Sequence, residues 1–83
     1  MPSSDESVTD LVEHIAKSLV DKPDEVDVRL EQERRETVVE LCVDPDDLGR
    51  VIGKRGRTAK SMRSVLYAVS EKLGRRYTLD ILE

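Results

Sequence analysis

Leu48–Gly49–Arg50–Val51–Ile52–Gly53–Lys54–Arg55–Gly56–Arg57–Thr58–Ala59–Lys60 is the stretch whose reading decides the fold. Gly53 and Gly56 bracket two cations, Lys54 and Arg55. Apolar residues precede the four, and an amphipathic helical pattern follows them. Glycine permits positive φ and lets a backbone approach another molecule closely, because it has no Cβ. A turn that feeds a helix N-terminus presents unpaired N–H groups and the positive end of the helix dipole. Such a place suits an anion, most often a phosphate. Two full positive charges at the tip strengthen that preference, and the stretch has the chemistry of a grip on a phosphodiester backbone.

The distribution of charge points the same way. The chain of 83 residues has a net charge of −4 and is 39% charged. Residues 1–47 carry −10, residues 48–70 carry +6 without a single acid, and residues 71–83 are neutral. The six cations of the middle segment are Arg50, Lys54, Arg55, Arg57, Lys60 and Arg63. The mean charge alone disfavours a polyanion, but a local field steers binding. A solvated helix face is the ordinary fate of Arg57, Lys60 and Arg63. Twenty-three residues free of acid in so charged a chain are harder to explain that way.

This length makes one domain with one small core. Phe and Trp are absent, so the core is aliphatic. No apolar run approaches the roughly 20 residues of a membrane span. The first residues lack the features of a secretory signal, and a cytoplasmic protein is expected. One cysteine excludes an internal disulfide framework and a cysteine-built metal site. Cys42 is expected to be a small buried hydrophobe, and His14 a surface or interface histidine. No acid–base pair, nucleophile–base pair or ligand set is evident. Gly49 to Gly56 does not have the spacing of a nucleotide-binding phosphate loop. Neither an enzyme nor a cofactor or metal is expected.

Residues 1–7 are expected to form a flexible tail and residues 8–83 the domain. Ser7 and Asp10 have capping-box spacing, and apolar residues from Val8 to Val20 recur at helical spacing. Pro23 ends that helix. Val26, Val28 and Leu30 alternate as a half-buried strand, Gln32–Arg35 makes a hairpin tip, and Thr37–Val43 is an apolar, central strand. Asp44 as N-cap and Pro45 at the first helical position open a short helix to about Val51. A longer helix from about Arg57 to Leu73 places Ala59, Met62, Leu66, Val69 and Leu73 on one face, with Gly74 just past its end. Tyr77, Leu79 and Ile81 alternate as a last strand. The order αββααβ gives an α+β class, a three-stranded sheet packed on one side by helices.

Val51–Ile52–Gly53–Lys54–Arg55–Gly56, set between a short and a longer helix, resembles the Ile-Gly-x-x-Gly signature of the KH RNA-binding domain. The αββααβ order is similar to the type II form of that fold, and the likeness runs from Val8 to Leu82. It is strongest to the small bacterial single-KH proteins of the KhpA type. The resemblance implies single-stranded RNA as partner, held by a loop that clamps about four nucleotides. Gly53, Lys54, Arg55 and Gly56 would be the clamp. Ile52 and Val51 would edge the base groove, and Arg57 and Lys60 would face the backbone. It further implies a homodimer, a possible heterodimer with a larger Jag-like KH protein, and work as a small RNA chaperone or post-transcriptional regulator. Neither aromatic residue, Tyr67 or Tyr77, lies in the motif, so base contact is expected to be aliphatic.

Two other functions fit parts of the pattern. Two helices joined by a glycine turn, with Arg57, Lys60 and Arg63 on the second, loosely match a DNA-binding helix-turn-helix. A dimerisation or adaptor module would instead use the acidic first helix and hairpin.

Overall fold

The computed structural model describes residues 3–83. Its elements are α1 (Ser4–Leu19), β1 (Asp27–Gln32), β2 (Thr37–Cys42), α2 (Leu48–Ile52), α3 (Arg57–Leu73) and β3 (Tyr77–Ile81), with 3-10 turns at Pro23–Glu25, Pro45–Asp47 and Lys54–Gly56. The order is the αββααβ expected. The sheet order is β1-β2-β3, so β2 is central. It pairs antiparallel with β1 (Leu30 opposite Val39) and parallel with β3 (Val39 opposite Leu79).

Period-2 alternation sorts the sheet into two faces. Thr37, Val39 and Leu41 of β2 are buried, as are Tyr77 and Leu79 of β3. Val28 and Leu30 of β1 pack on the same core. Val8, Val12 and Ala16 of α1, Val51 of α2, and Met62 and Leu66 of α3 complete it. All the helices therefore cover one face. The other face carries Arg29, Glu40 and Asp80 in register. Cys42 belongs to that face and is exposed, which corrects the expectation of a buried thiol. The apolar run Val38–Val39–Glu40–Leu41–Cys42–Val43 looks two-sided, but only one side has a helical layer. His14 is exposed on α1, as expected.

The first helix begins earlier than expected. Ser3 is its N-cap, and the hydroxyl accepts the Glu6 amide at 3.1 Å. Ser3 and Glu6 have capping-box spacing themselves, so the Ser7–Asp10 pair is not the start. Residues 4–7 are helical rather than tail, and of the expected tail Met1 and Pro2 lie outside the described residues. The added turn is tied down. Asp5 accepts the Tyr77 phenol at 2.6 Å and the Gln32 amide at 3.2 Å. Burial first, then the Asp5 hydrogen bond and charge, raise the Tyr77 pKa, so the phenol remains a neutral donor. Among the described residues no helix is long and apolar enough to cross a membrane.

The turn into α2 is built by two aspartates. Asp44 accepts the Asp46 amide at 2.9 Å, which is the cap expected. The carboxylate of Asp47 does more than favour a helix start: it is 2% exposed and reaches across to the end of α1. It accepts the Asp21 amide at 3.2 Å and the Lys22 amide at 3.0 Å. Arg50 closes the group, 3.4 Å from Asp47 and 2.9 Å from Asp21. Removing a buried acceptor leaves its donors unpaired, at about 1–3 kcal/mol. Asp47→Ala is therefore expected to destabilise the fold by about 2 kcal/mol, lowering the melting temperature by roughly 8–16 °C for a domain of this size. Asp47→Asn, which keeps one acceptor, should lose less. A melting curve for Asp47→Ala that overlays the wild type would refute this role.

Candidate nucleic-acid interface

The short helix α2 stops at Gly53, whose φ of 78° and ψ of 168° no ordinary side chain favours. Its amide still bonds the Gly49 carbonyl at 2.8 Å, and its carbonyl accepts the Gly56 amide at 3.0 Å. The chain then turns through Arg55 and Gly56, both left-handed, with φ of 58° and 72°. Positive φ at an arginine is uncommon and places strain at the tip of the loop. The neighbouring glycines let the chain reverse there, and α3 starts at Arg57.

The result is an open tip. Lys54 and Arg55 are exposed, and Gly53 and Gly56 are half-buried at its base. Gly56, the N-cap of α3, supplies no side-chain cap to the first turn. A helix N-terminus without a side-chain cap and two cations thus converge on one exposed point.

Pairing of the neighbouring cations divides them into two kinds. Arg50 is engaged with Asp21 and Asp47 and belongs to the scaffold. Lys54, Arg55, Arg57, Lys60 and Arg63 make no ion pair among the described residues, and all five are exposed. Arg57 and Lys60 rise from the loop on the first turn of α3, beside the tip, as expected. Ile52 is half-buried and partly open.

Val51 is different. It is 0% exposed and part of the core. The expectation that it edges a base groove is corrected, since a side chain without accessible surface cannot touch a ligand. It fixes α2 against the sheet while Ile52, one residue on, turns outward. Thr58, and the bonds of Asp47 to Asp21 and Lys22, are what the sequence did not reveal. Asp47 anchors α2, and Thr58 lies under Gly53, where its backbone nitrogen sits 2.8 Å from the position a Cβ would take.

The αββααβ order, the mixed sheet and the glycine loop between α2 and α3 define a type II KH domain. Comparison with known proteins agrees. The family model "KhpA/KhpB, KH domain" matches residues 9–81. The chain is 55% identical over 73 residues to RNA-binding protein KhpA of Halalkalibacterium halodurans, covering 88% of this chain and 96% of that one. It is 47% identical over 77 residues to the protein of the same name from Aquifex aeolicus, covering 93% and 98%. The chain belongs to the KhpA/KhpB KH-domain family. Among solved structures, it superposes on Era of Aquifex aeolicus bound to GDP.AlF4- with a TM-score of 0.58 at 22% identity. The match covers 89% of this chain and only 29% of that one, and at this identity the likeness is one of fold.

Proposed function

We propose that the chain binds single-stranded RNA, with Gly53, Lys54, Arg55 and Gly56 as the clamp on the sugar–phosphate backbone. The observation that carries this reading is the exposed glycine turn at the start of α3, tipped by Lys54 and Arg55, two cations without an ion-pair partner among the described residues. Arg57 and Lys60 extend the contact along the backbone, and Ile52 offers apolar surface to a base. The relatives named RNA-binding protein KhpA, similar over nearly their whole length, support the choice of RNA. A duplex-reading helix-turn-helix is less suited, because there the second helix reads bases while here the charge is concentrated at the glycine tip.

Backbone binding of this kind depends steeply on salt. Four phosphate contacts to a single strand give a slope of log K against log [salt] of about −3. Fluorescence anisotropy of a labelled single-stranded RNA, titrated between 50 and 300 mM salt, measures it. A slope near zero would remove the phosphate clamp from consideration.

The same reading includes a homodimer. Val65 (40% exposed) and Leu73 (38%) are apolar residues left uncovered on α3. Two clamps joined in one particle would gain affinity for a longer strand by raised effective concentration. Light scattering is expected to give twice the 9.4 kDa of the chain. A mass of one chain at micromolar protein would reject the dimer and leave the clamp standing. Pairing with a larger Jag-like KH protein, and a role as RNA chaperone or post-transcriptional regulator, extend the proposal to the cell.

A further inference from the structure

All the helices pack on one face of the sheet, and the opposite face has no layer of its own. With 6 residues in each of β1 and β2, that face is about 20 Å long and three strands wide. Its middle row is Arg29, Glu40 and Asp80, side by side on β1, β2 and β3. Arg29 is engaged by Asp27 at 2.7 Å. Glu40 and Asp80 therefore stand next to each other as like charges, and neither makes an ion pair among the described residues. Like charges directly opposite on neighbouring strands destabilise a sheet. The adjacent row adds Glu31, an exposed carboxylate that is also without an ion pair among the described residues.

Apolar groups lie among these acids. Val38 stands half-buried between Glu31 and Thr78. Leu82, whose amide carries the ladder on to the Leu41 carbonyl at 2.9 Å, is 39% exposed on the same side as Asp80. The unpaired cations of α3 belong to the helical layer, on the other side of the sheet. An open face of this composition repels nucleic acid. It complements a segment that is apolar along one stripe and lysine- or arginine-rich beside it. A helix of about 14 residues matches the length of the face.

We propose that the open face of the sheet docks a cationic amphipathic segment of a partner protein. Glu31, Glu40 and Asp80 pair with its lysines or arginines, and Val38 and Leu82 meet its apolar stripe. The neutralising cations come from the partner, which accounts for an acidic pair that the sheet alone would be better without. The glycine loop belongs to the helical layer, so the inference does not rest on the RNA reading, and partner and RNA can be held at once.

The test uses a synthetic peptide of about 14 residues with leucine and lysine at helical spacing, and a scrambled peptide of the same composition. In NMR spectra of the isotope-labelled protein, the amphipathic peptide is expected to shift the amide signals of Arg29, Val38, Glu40 and Asp80 and to leave those of Gly53 to Lys60 in place. By anisotropy the scrambled peptide should bind about tenfold more weakly, since its charge is equal but its apolar residues share no stripe. Glu40→Gln/Asp80→Asn should weaken the amphipathic peptide about tenfold, the effect of two lost ion pairs. Glu6→Gln/Asp10→Asn, an equal charge change on exposed residues of α1, should cost less than about twofold. Leu82→Ser should cost about fivefold. Glu40→Gln/Asp80→Asn should also melt about 3 °C above the wild type, because it removes a repulsion. No binding of the amphipathic peptide, equal binding of the two peptides, equal losses in the two charge variants, or shifts confined to the loop or α3 would overturn the proposal. A lower melting temperature for Glu40→Gln/Asp80→Asn would assign those carboxylates to the fold and overturn it as well. Light scattering that finds this variant at half the wild-type mass would give the face to a second copy of the chain instead of a partner protein.

Discussion

Lys54→Asp combined with Arg55→Asp is expected to weaken single-stranded RNA binding by about a hundredfold or more at 0.1 M salt, where charges act over about 10 Å. It should also flatten the salt slope by at least about 1.4, the share of two phosphate contacts. The fold should stay intact, for three reasons visible in the loop. Both side chains are exposed. Neither makes an ion pair among the described residues. The backbone at residue 55 is left-handed, with a φ of 58°, where Asp is better tolerated than Arg. The control is Arg34→Asp/Arg35→Asp, an equal charge change on the exposed β1–β2 hairpin, which borders the far end of α3 at Gly74–Arg76. On a four-nucleotide probe this control should cost much less. Anisotropy gives the affinities and a thermal melt checks the fold. If the two double variants weaken binding equally, overall charge is responsible and the loop is not a clamp.

How far the sequence could be read depended on whether a signal was local. Pro45 and Asp44 announce a helix start by chemistry that acts within three residues, and the Asp46 amide bonds Asp44 as expected. Gly74 closes α3 in a left-handed conformation for the same local reason. The glycine pair marks the loop because its backbone needs no partner to be unusual. Tertiary choices were less legible. Two capping boxes compete at the N-terminus, and the contact between Asp5 and Tyr77, 72 residues apart, accompanies the earlier one. Asp47 carries a local signal for a helix cap that hides its bonds to Asp21 and Lys22. Cys42 and Val51 fail in opposite directions, because apolar periodicity gives a face but not which face is covered. Arg55 gives no hint of its positive φ, since only its glycine neighbours make the turn feasible.

The two loop glycines are expected to differ sharply when each is replaced by alanine, although the motif treats them alike. Gly53 combines a φ of 78° with a ψ of 168°, a region close to exclusive to glycine and costing about 1–3 kcal/mol for other residues. A Cβ there would also overlap the Thr58 side chain and come within 2.8 Å of the Thr58 nitrogen. The nitrogen belongs to the first turn of α3 and cannot swing aside, so the loop itself must move. Gly56 has a φ of 72° and a ψ of 14°, ordinary left-handed helix, and a Cβ there meets nothing within 4 Å. Alanine at that position faces only the left-handed penalty of about 1–2 kcal/mol. Gly53→Ala should therefore lower the melting temperature by about 8 °C or more, from a loss of about 2–4 kcal/mol, and Gly56→Ala by about half as much. Gly56→Asn should come closest to the wild type, because asparagine tolerates this conformation. RNA affinity should follow the same order, since displacing Gly53 moves Lys54 and Arg55, which follow it at the exposed tip of the loop. Thr58→Ala in the Gly53→Ala background tests the side-chain part: it removes the Oγ1 overlap but leaves the close approach of the residue-58 Cβ and nitrogen and the positive φ, so only partial recovery is expected. Equal melting temperatures for the two alanine variants, or a Gly56→Ala protein less stable than Gly53→Ala, would mean that the close approach of Thr58 to Gly53 does not set the shape of the loop.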